Sequence, residues 1–218
     1  MPDVSQSVDT SATIPSSQGK TFKGLFVVGK KILSFRECDH PEKDFAVIDS
    51  TGKMKELYHA VFLHSPAFPY EYVYVEVKGK ISAAPDSIVQ KGFDSIITVS
   101  KVLTFEQKNY QNSCIPYNFW ALGKDWSLQV SEKENIIVLK DFNAMKVYVF
   151  EYFAPVKQGD NMVTYASNNY AAGAAIKARI KKEACTEDSS KNGFQYSATV
   201  IINGKVFSGC AIKGSAAQ

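Results

Sequence analysis

Apolar and polar residues alternate along most of this chain with the period of two that marks half-buried β-strands. Phe22 to Val28 and Ile32 to Phe35 read as strands on either side of a Gly29-Lys30-Lys31 step, and Phe45 to Asp49 is a short apolar one. The period then changes. Met54, Leu57, Tyr58, Val61 and Phe62 fall at i, i+3, i+4, i+7 and i+8 and predict one amphipathic helix, introduced by Ser50-Thr51-Gly52 and ended by Pro66 and Pro69. Tyr70 to Ile81 returns to strand, with Val73, Val75 and Val77 on one face and Tyr70, Tyr72, Tyr74 and Glu76 on the other. Ser95 to Leu103 is the next strand. Twisted strands with one helix between the early and late ones predict an OB-fold-like five-stranded barrel.

Phe105 to Cys114 is polar and rich in Gln and Asn, which marks a boundary. A second β-rich stretch follows: Phe119 to Val130, Ile136 to Leu139, Lys146 to Tyr152, Met162 to Ala166 and Ala174 to Ile180. Phe194 to Ile202 then runs into Asn203-Gly204, the dipeptide favoured in type I′ hairpins. The expected architecture is all-β with one short helix. Residues 1–20 form a disordered tether, 21–105 the OB-fold-like barrel, 106–116 a linker and 117–213 a second antiparallel β-barrel or sandwich.

Cysteine usage adds a compartment. Cys185 leads into the last hairpin and Cys210 lies at its far end, so a bond between them closes a loop of about 25 residues, worth roughly 3–4 kcal/mol by chain entropy. Four cysteines allow two bridges in three pairings. Cys38 has a natural partner in Cys114, just beyond the last strand of the first barrel. Such bonds imply an oxidising compartment. The first twenty residues, rich in Ser, Thr, Pro and Gln, read as a tether of the kind that follows a lipid-modified cysteine, itself absent from this chain.

Composition excludes little else. With 45% hydrophobic and 22% charged residues the chain is an ordinary globular one, and a net charge of +3 argues for no nucleic-acid partner. The only dense basic stretch is Lys177 to Lys182.

Each candidate for chemistry has a bland counterpart. Cys38, Asp39, His40, Glu42 and Asp44 could ligate copper or zinc, but lack a second Cys or His at ligand spacing and read better as a solvated turn holding half a disulfide. Asp49 to Lys53 lacks the glycines of a phosphate loop and reads as a helix-capping turn. His40, His59 and His64 lie in the first third of the chain, and nothing supports a Ser/His/Asp triad. Glu187 and Asp188 form a carboxylate pair only if they do not cap their own turn. Tyr70, Tyr72 and Tyr74 would make a stacking platform for a small molecule or glycan if they face solvent. Packing beneath the helix or the second barrel is the alternative. Trp120 and Trp126 read as core anchors, with sugar stacking the alternative.

Residues 117–213 resemble a family of bacterial envelope lipoproteins with the motifs A-x-G-N-E-P-x-W-S, C-x-D-x-M-S and N-G-x-x-x-x-G-C. Their counterparts are Ala121 to Ser127, Cys185 to Ser190 and Asn203 to Cys210. The first is shortened before Trp126, while Glu187 and Ser189 replace Asp and Met. The first half is similar to the OB-type domain of NlpE-like lipoproteins, through the helix around Leu57 and Tyr58 and the run Tyr72 to Gly79. The cysteine pair of that family's metal-associated domain has no counterpart, so copper handling is not implied. The resemblance implies a non-enzymatic, cofactor-free lipoprotein, periplasmic or tethered at the outer membrane by an N-terminal lipid anchor. Its partner would be an envelope protein or a small ligand, with a role in binding or in sensing envelope stress.

Overall fold

Five strands close the first barrel in the computed structural model, which describes residues 19–62, 65–186 and 193–216. They are β1 (Lys20–Val28), β2 (Leu33–Glu37), β3 (Asp44–Asp49), β4 (Val73–Ala83) and β5 (Ser95–Gln107), in the order β1-β2-β3-β5-β4. β1 pairs with β4 to close the ring, and β3 runs parallel to β5. Helix α1 (Met54–Val61) lies between β3 and β4, which completes the OB-fold order. The apolar stripe of α1 explains its seat: Met54 and Tyr58 are buried among Phe26, Phe35, Val75 and Ile97. The capping turn forms as expected. The Asp49 carboxylate accepts from the Thr51 hydroxyl at 2.6 Å and from the Met54 amide at 2.8 Å. Burial works against the ionised Asp49 carboxyl, yet these hydrogen bonds outweigh it and hold its pKa below the ordinary value.

Nine antiparallel strands make the second unit. After the short helix α2 (Asp86–Val89), which lies between β4 and β5, they are β6 (Phe119–Gly123), β7 (Trp126–Ser131), β8 (Ile136–Asp141), β9 (Lys146–Glu151), β10 (Val156–Gln158), β11 (Met162–Asn169), β12 (Ala174–Cys185), β13 (Phe194–Ile202) and β14 (Lys205–Lys213). Their order is β10-β11-β12-β13-β14-β6-β7-β8-β9. The sheet curls until β9 approaches β11, where the Asn169 amide donates to the Val149 carbonyl at 2.9 Å. Inward residues at every second position fill the interior, among them Leu128, Leu139, Phe150, Ile176, Ile180 and Val200.

The hairpin at Asn203-Gly204 has φ of 47° and 85°, the two left-handed residues that a type I′ turn requires. Both expected disulfides form, Cys38–Cys114 and Cys185–Cys210, with Cα separations of 4.8 and 5.6 Å. Two such bonds are consistent with an oxidising, extracytoplasmic location. Among the described residues no helix is long and apolar enough to cross a membrane.

Several element boundaries differ from expectation. Phe119 to Val130 is a hairpin, not one strand, because Gly123 lets the chain turn over Trp126 through Lys124-Asp125. β4 starts at Val73, since Tyr70 sits in a turn at φ 64°. β5 continues to Gln107, inside the expected linker, because Phe105 and Gln107 pair with Val75 and Val73. β1 begins at Lys20, within the expected tether, by pairing with Gly79; residues 1–18 lie outside the described residues.

Candidate functional site

At one end of the nine-stranded sheet the inward-facing positions stop being apolar. Ala174, Ile176, Ala178 and Ile180 of β12 point into the core, and the next residue in that phase is Lys182. It pairs with Tyr196 of β13. On β14 the corresponding position is Lys213, paired with Phe119, and on β10 it is Lys157, paired with Val163. All three lysines therefore enter one mouth from three strands. There they border an open cavity of about 600 Å³, within the usual range for a small-molecule site. None of them ion-pairs with a carboxylate among the described residues.

The floor of this mouth is aromatic. Phe119 and Tyr165 are buried, with ring centroids 6.2 Å apart and steeply inclined. Tyr196 stands 5.5 Å from Phe119 and Tyr152 lies 6.0 Å from Tyr165, so the half-buried rings form walls beside the buried ones. Tyr165 is only 2% exposed and lines the cavity, and its phenol donates no hydrogen bond to any described residue. Burial raises the Tyr165 pKa, and the neighbouring Tyr152 phenol and Glu132 carboxylate raise it further. Burial and Glu132 also raise that of Tyr152. Two phenols and a carboxylate thus converge, and both phenols keep their protons. Glu132 is held there by the turn after β7, where its backbone amide donates to the Asn118 side-chain oxygen at 2.8 Å.

The residues singled out from the sequence lie elsewhere. Tyr70, Tyr72 and Tyr74 do not make a common platform. Tyr70 is an exposed turn residue and Tyr72 is half-buried, 5.8 Å from the Arg36 guanidinium. Tyr74 is buried with Leu25 and Ile115 and donates to Glu76 at 2.9 Å; burial and that carboxylate push its pKa up to about 12. The Cys38–Cys114 bridge is what lays Ile115 over this face. Trp126 is a core anchor, its indole donating to the Ser208 carbonyl at 3.2 Å, and Trp120 packs edge-on to Tyr117.

Of the cluster weighed as a metal site, Cys38 is in a disulfide, His40 faces Glu42 at 3.5 Å and Asp44 is held by Arg36 at 2.8 and 2.9 Å. His59 stacks edge-on against Tyr58. His64, Glu187 and Asp188 lie outside the described residues.

A second polar cluster joins the two units. Lys140 of β8 bonds Glu71, from the segment before β4, at 2.9 Å. Lys108, just after β5, pairs with Glu134 in the β7–β8 turn, and the Gln129 amide donates to the other oxygen of Glu134. Glu71, Lys108, Gln129 and Lys140 line a cleft of about 240 Å³ together with Trp120 and Trp126. The polar groups there are already partnered, which makes the cluster a fastening rather than a vacancy.

The mouth was missed because its residues are scattered over six strands and two turns. The one local signal was a lysine continuing an apolar period, as Lys182 does after Ile180. Fold and site together define a β-protein of two units, a closed OB-type barrel followed by a curled nine-stranded antiparallel sheet with an aromatic, lysine-bordered mouth. No family model, curated protein or solved structure matches the chain.

Proposed function

We propose that this chain is a non-enzymatic binding protein of the bacterial cell envelope, held at the outer membrane by a lipid anchor, whose second barrel takes a small polar ligand at its mouth. The observation that carries the reading is the cavity of about 600 Å³ at this mouth, where Tyr152, Tyr165 and Tyr196 meet Lys157, Lys182 and Lys213. A bound ligand could exchange hydrogen bonds with these phenols and ammonium groups. The two disulfides and the resemblance of both halves to envelope lipoproteins support the location. A role in sensing envelope stress then amounts to reporting whether the mouth is filled. The alternative is a glycan-binding protein whose stacking surface is Tyr152, Tyr165 and Tyr196 rather than Tyr70, Tyr72 and Tyr74.

Backbone amide shifts of isotope-labelled protein, recorded against a fragment library of small polar molecules, test this directly. Shifts are expected to cluster on Phe119, Tyr152, Tyr165, Lys182 and Tyr196. Shifts confined to Tyr70–Tyr74, or none at all, would contradict the proposal.

A further inference from the structure

The three lysines ask what the ligand carries. A cation on the inner face of a β-barrel interrupts the apolar wall, and a single one is easily explained by a stem lying along that wall with its head in water. Here Lys157, Lys182 and Lys213 occupy inward-phase positions on three different strands and border the same cavity. Two carboxylates, Glu132 and Asp160, share the border. The border therefore has an excess of one positive charge, and no described carboxylate lies within ion-pairing distance of any of the three ammonium groups. An anion seated among these exposed ammonium groups is attracted by all three.

On the aromatic side of the same cavity the chemistry changes. The phenols of Tyr152 and Tyr165 each donate and accept, and Glu132 accepts only. That pairing of capacities matches ligand hydroxyl groups, which also do both. The half-buried rings of Tyr152 and Tyr196 add apolar surface for the C–H side of a ring.

We infer, resting on the binding reading above, that the mouth recognises an anionic sugar: a hydroxylated ring against the tyrosines, with a carboxylate or phosphate between Lys157, Lys182 and Lys213. Attraction of this kind is screened within about 10 Å at 0.1 M salt, so binding weakens as salt rises.

The experiment is calorimetric titration of the whole chain, disulfides intact, with glucuronate, glucose 6-phosphate, glucose and inorganic phosphate at low and moderate salt. One or both charged sugars are expected to bind at least tenfold more tightly than glucose or phosphate; which one does so tells carboxylate from phosphate. The variant carrying Lys157→Gln, Lys182→Gln and Lys213→Gln should bind the charged sugar only as tightly as glucose, with its melting temperature retained. Glucose matching the charged sugars overturns the anionic half of the inference, and phosphate matching them overturns the sugar half. Silence from all four compounds, with fragment shifts at the mouth, overturns the ligand class and leaves the site standing. Silence in both experiments overturns the site as well.

Discussion

Replacing Cys38 and Cys114 together by serine should cost about 4.5 kcal/mol of stability, from the chain entropy released when a long loop opens. The bridge spans 76 residues, against 25 for Cys185–Cys210, whose loss should cost about 3.5 kcal/mol on the same argument. The structure sharpens the difference. Cys185 and Cys210 sit on β12 and β14, which are already joined through β13, with one irregularity between Lys182 and Cys185. Cys114 belongs to the segment between the barrels, and its bond lays Ile115 against Leu25 and Tyr74. Removing it frees the cover of one face of the first barrel as well as opening the loop. Urea unfolding checks this. The Cys38/Cys114 variant should show the lower midpoint of the two and a steeper slope, because its denatured state expands further. A midpoint equal to that of the unaltered protein would refute the argument.

Glu134→Ala should cost about 3–5 kcal/mol, because it strands the buried Lys108 ammonium and removes the acceptor of the Gln129 amide. The side chains of Lys108 and Glu134 are only 8% and 11% exposed, so water screens the loss poorly. A paired replacement, Lys108→Met with Glu134→Leu, should be nearly neutral, since it removes both desolvation penalties at once. The pH dependence separates charge from packing. Burial lowers the Lys108 pKa, partly offset by Glu134. Without Glu134 the folded pKa falls further below the unfolded value, so the unfolded chain binds more protons and stability rises with pH. The single variant should thus recover part of its loss as pH rises through the folded pKa. A loss that does not change with pH would mean that packing alone is involved.

Local patterns carried the first barrel because every part of it is local. Alternation set the strands, the change to a 3.6-residue period set α1, and Asp49 to Lys53 supplied its capping turn. Asn203-Gly204 likewise fixed the last hairpin, and the strands flanking it brought Cys185 to Cys210. Boundaries failed where tertiary pairing overrode composition. The polar stretch after Leu103 looked like linker, but β4 offered it a ladder as far as Gln107. Tyr70 continued the alternation on paper, while the chain there turns at positive φ. Strand β10, three residues long, carried too little pattern to be seen.

The site was legible only in hindsight. Tyr70, Tyr72 and Tyr74 drew notice because they are adjacent in sequence, whereas Tyr152, Tyr165 and Tyr196 meet only when the sheet curls. Closure of a nine-stranded sheet depends on register and twist summed over the whole sheet, which no window of sequence contains.

The binding role is tested most directly by Tyr165→Phe, with affinity for the charged sugar and unfolding free energy measured on the same protein. The variant deletes one oxygen from a ring that is otherwise fully packed. If that oxygen serves a ligand, affinity falls about tenfold while the empty protein stays as stable as before or gains slightly, since a partnerless hydroxyl stabilises nothing. Unchanged affinity, or a stability loss that accounts for the weaker binding, would contradict the account.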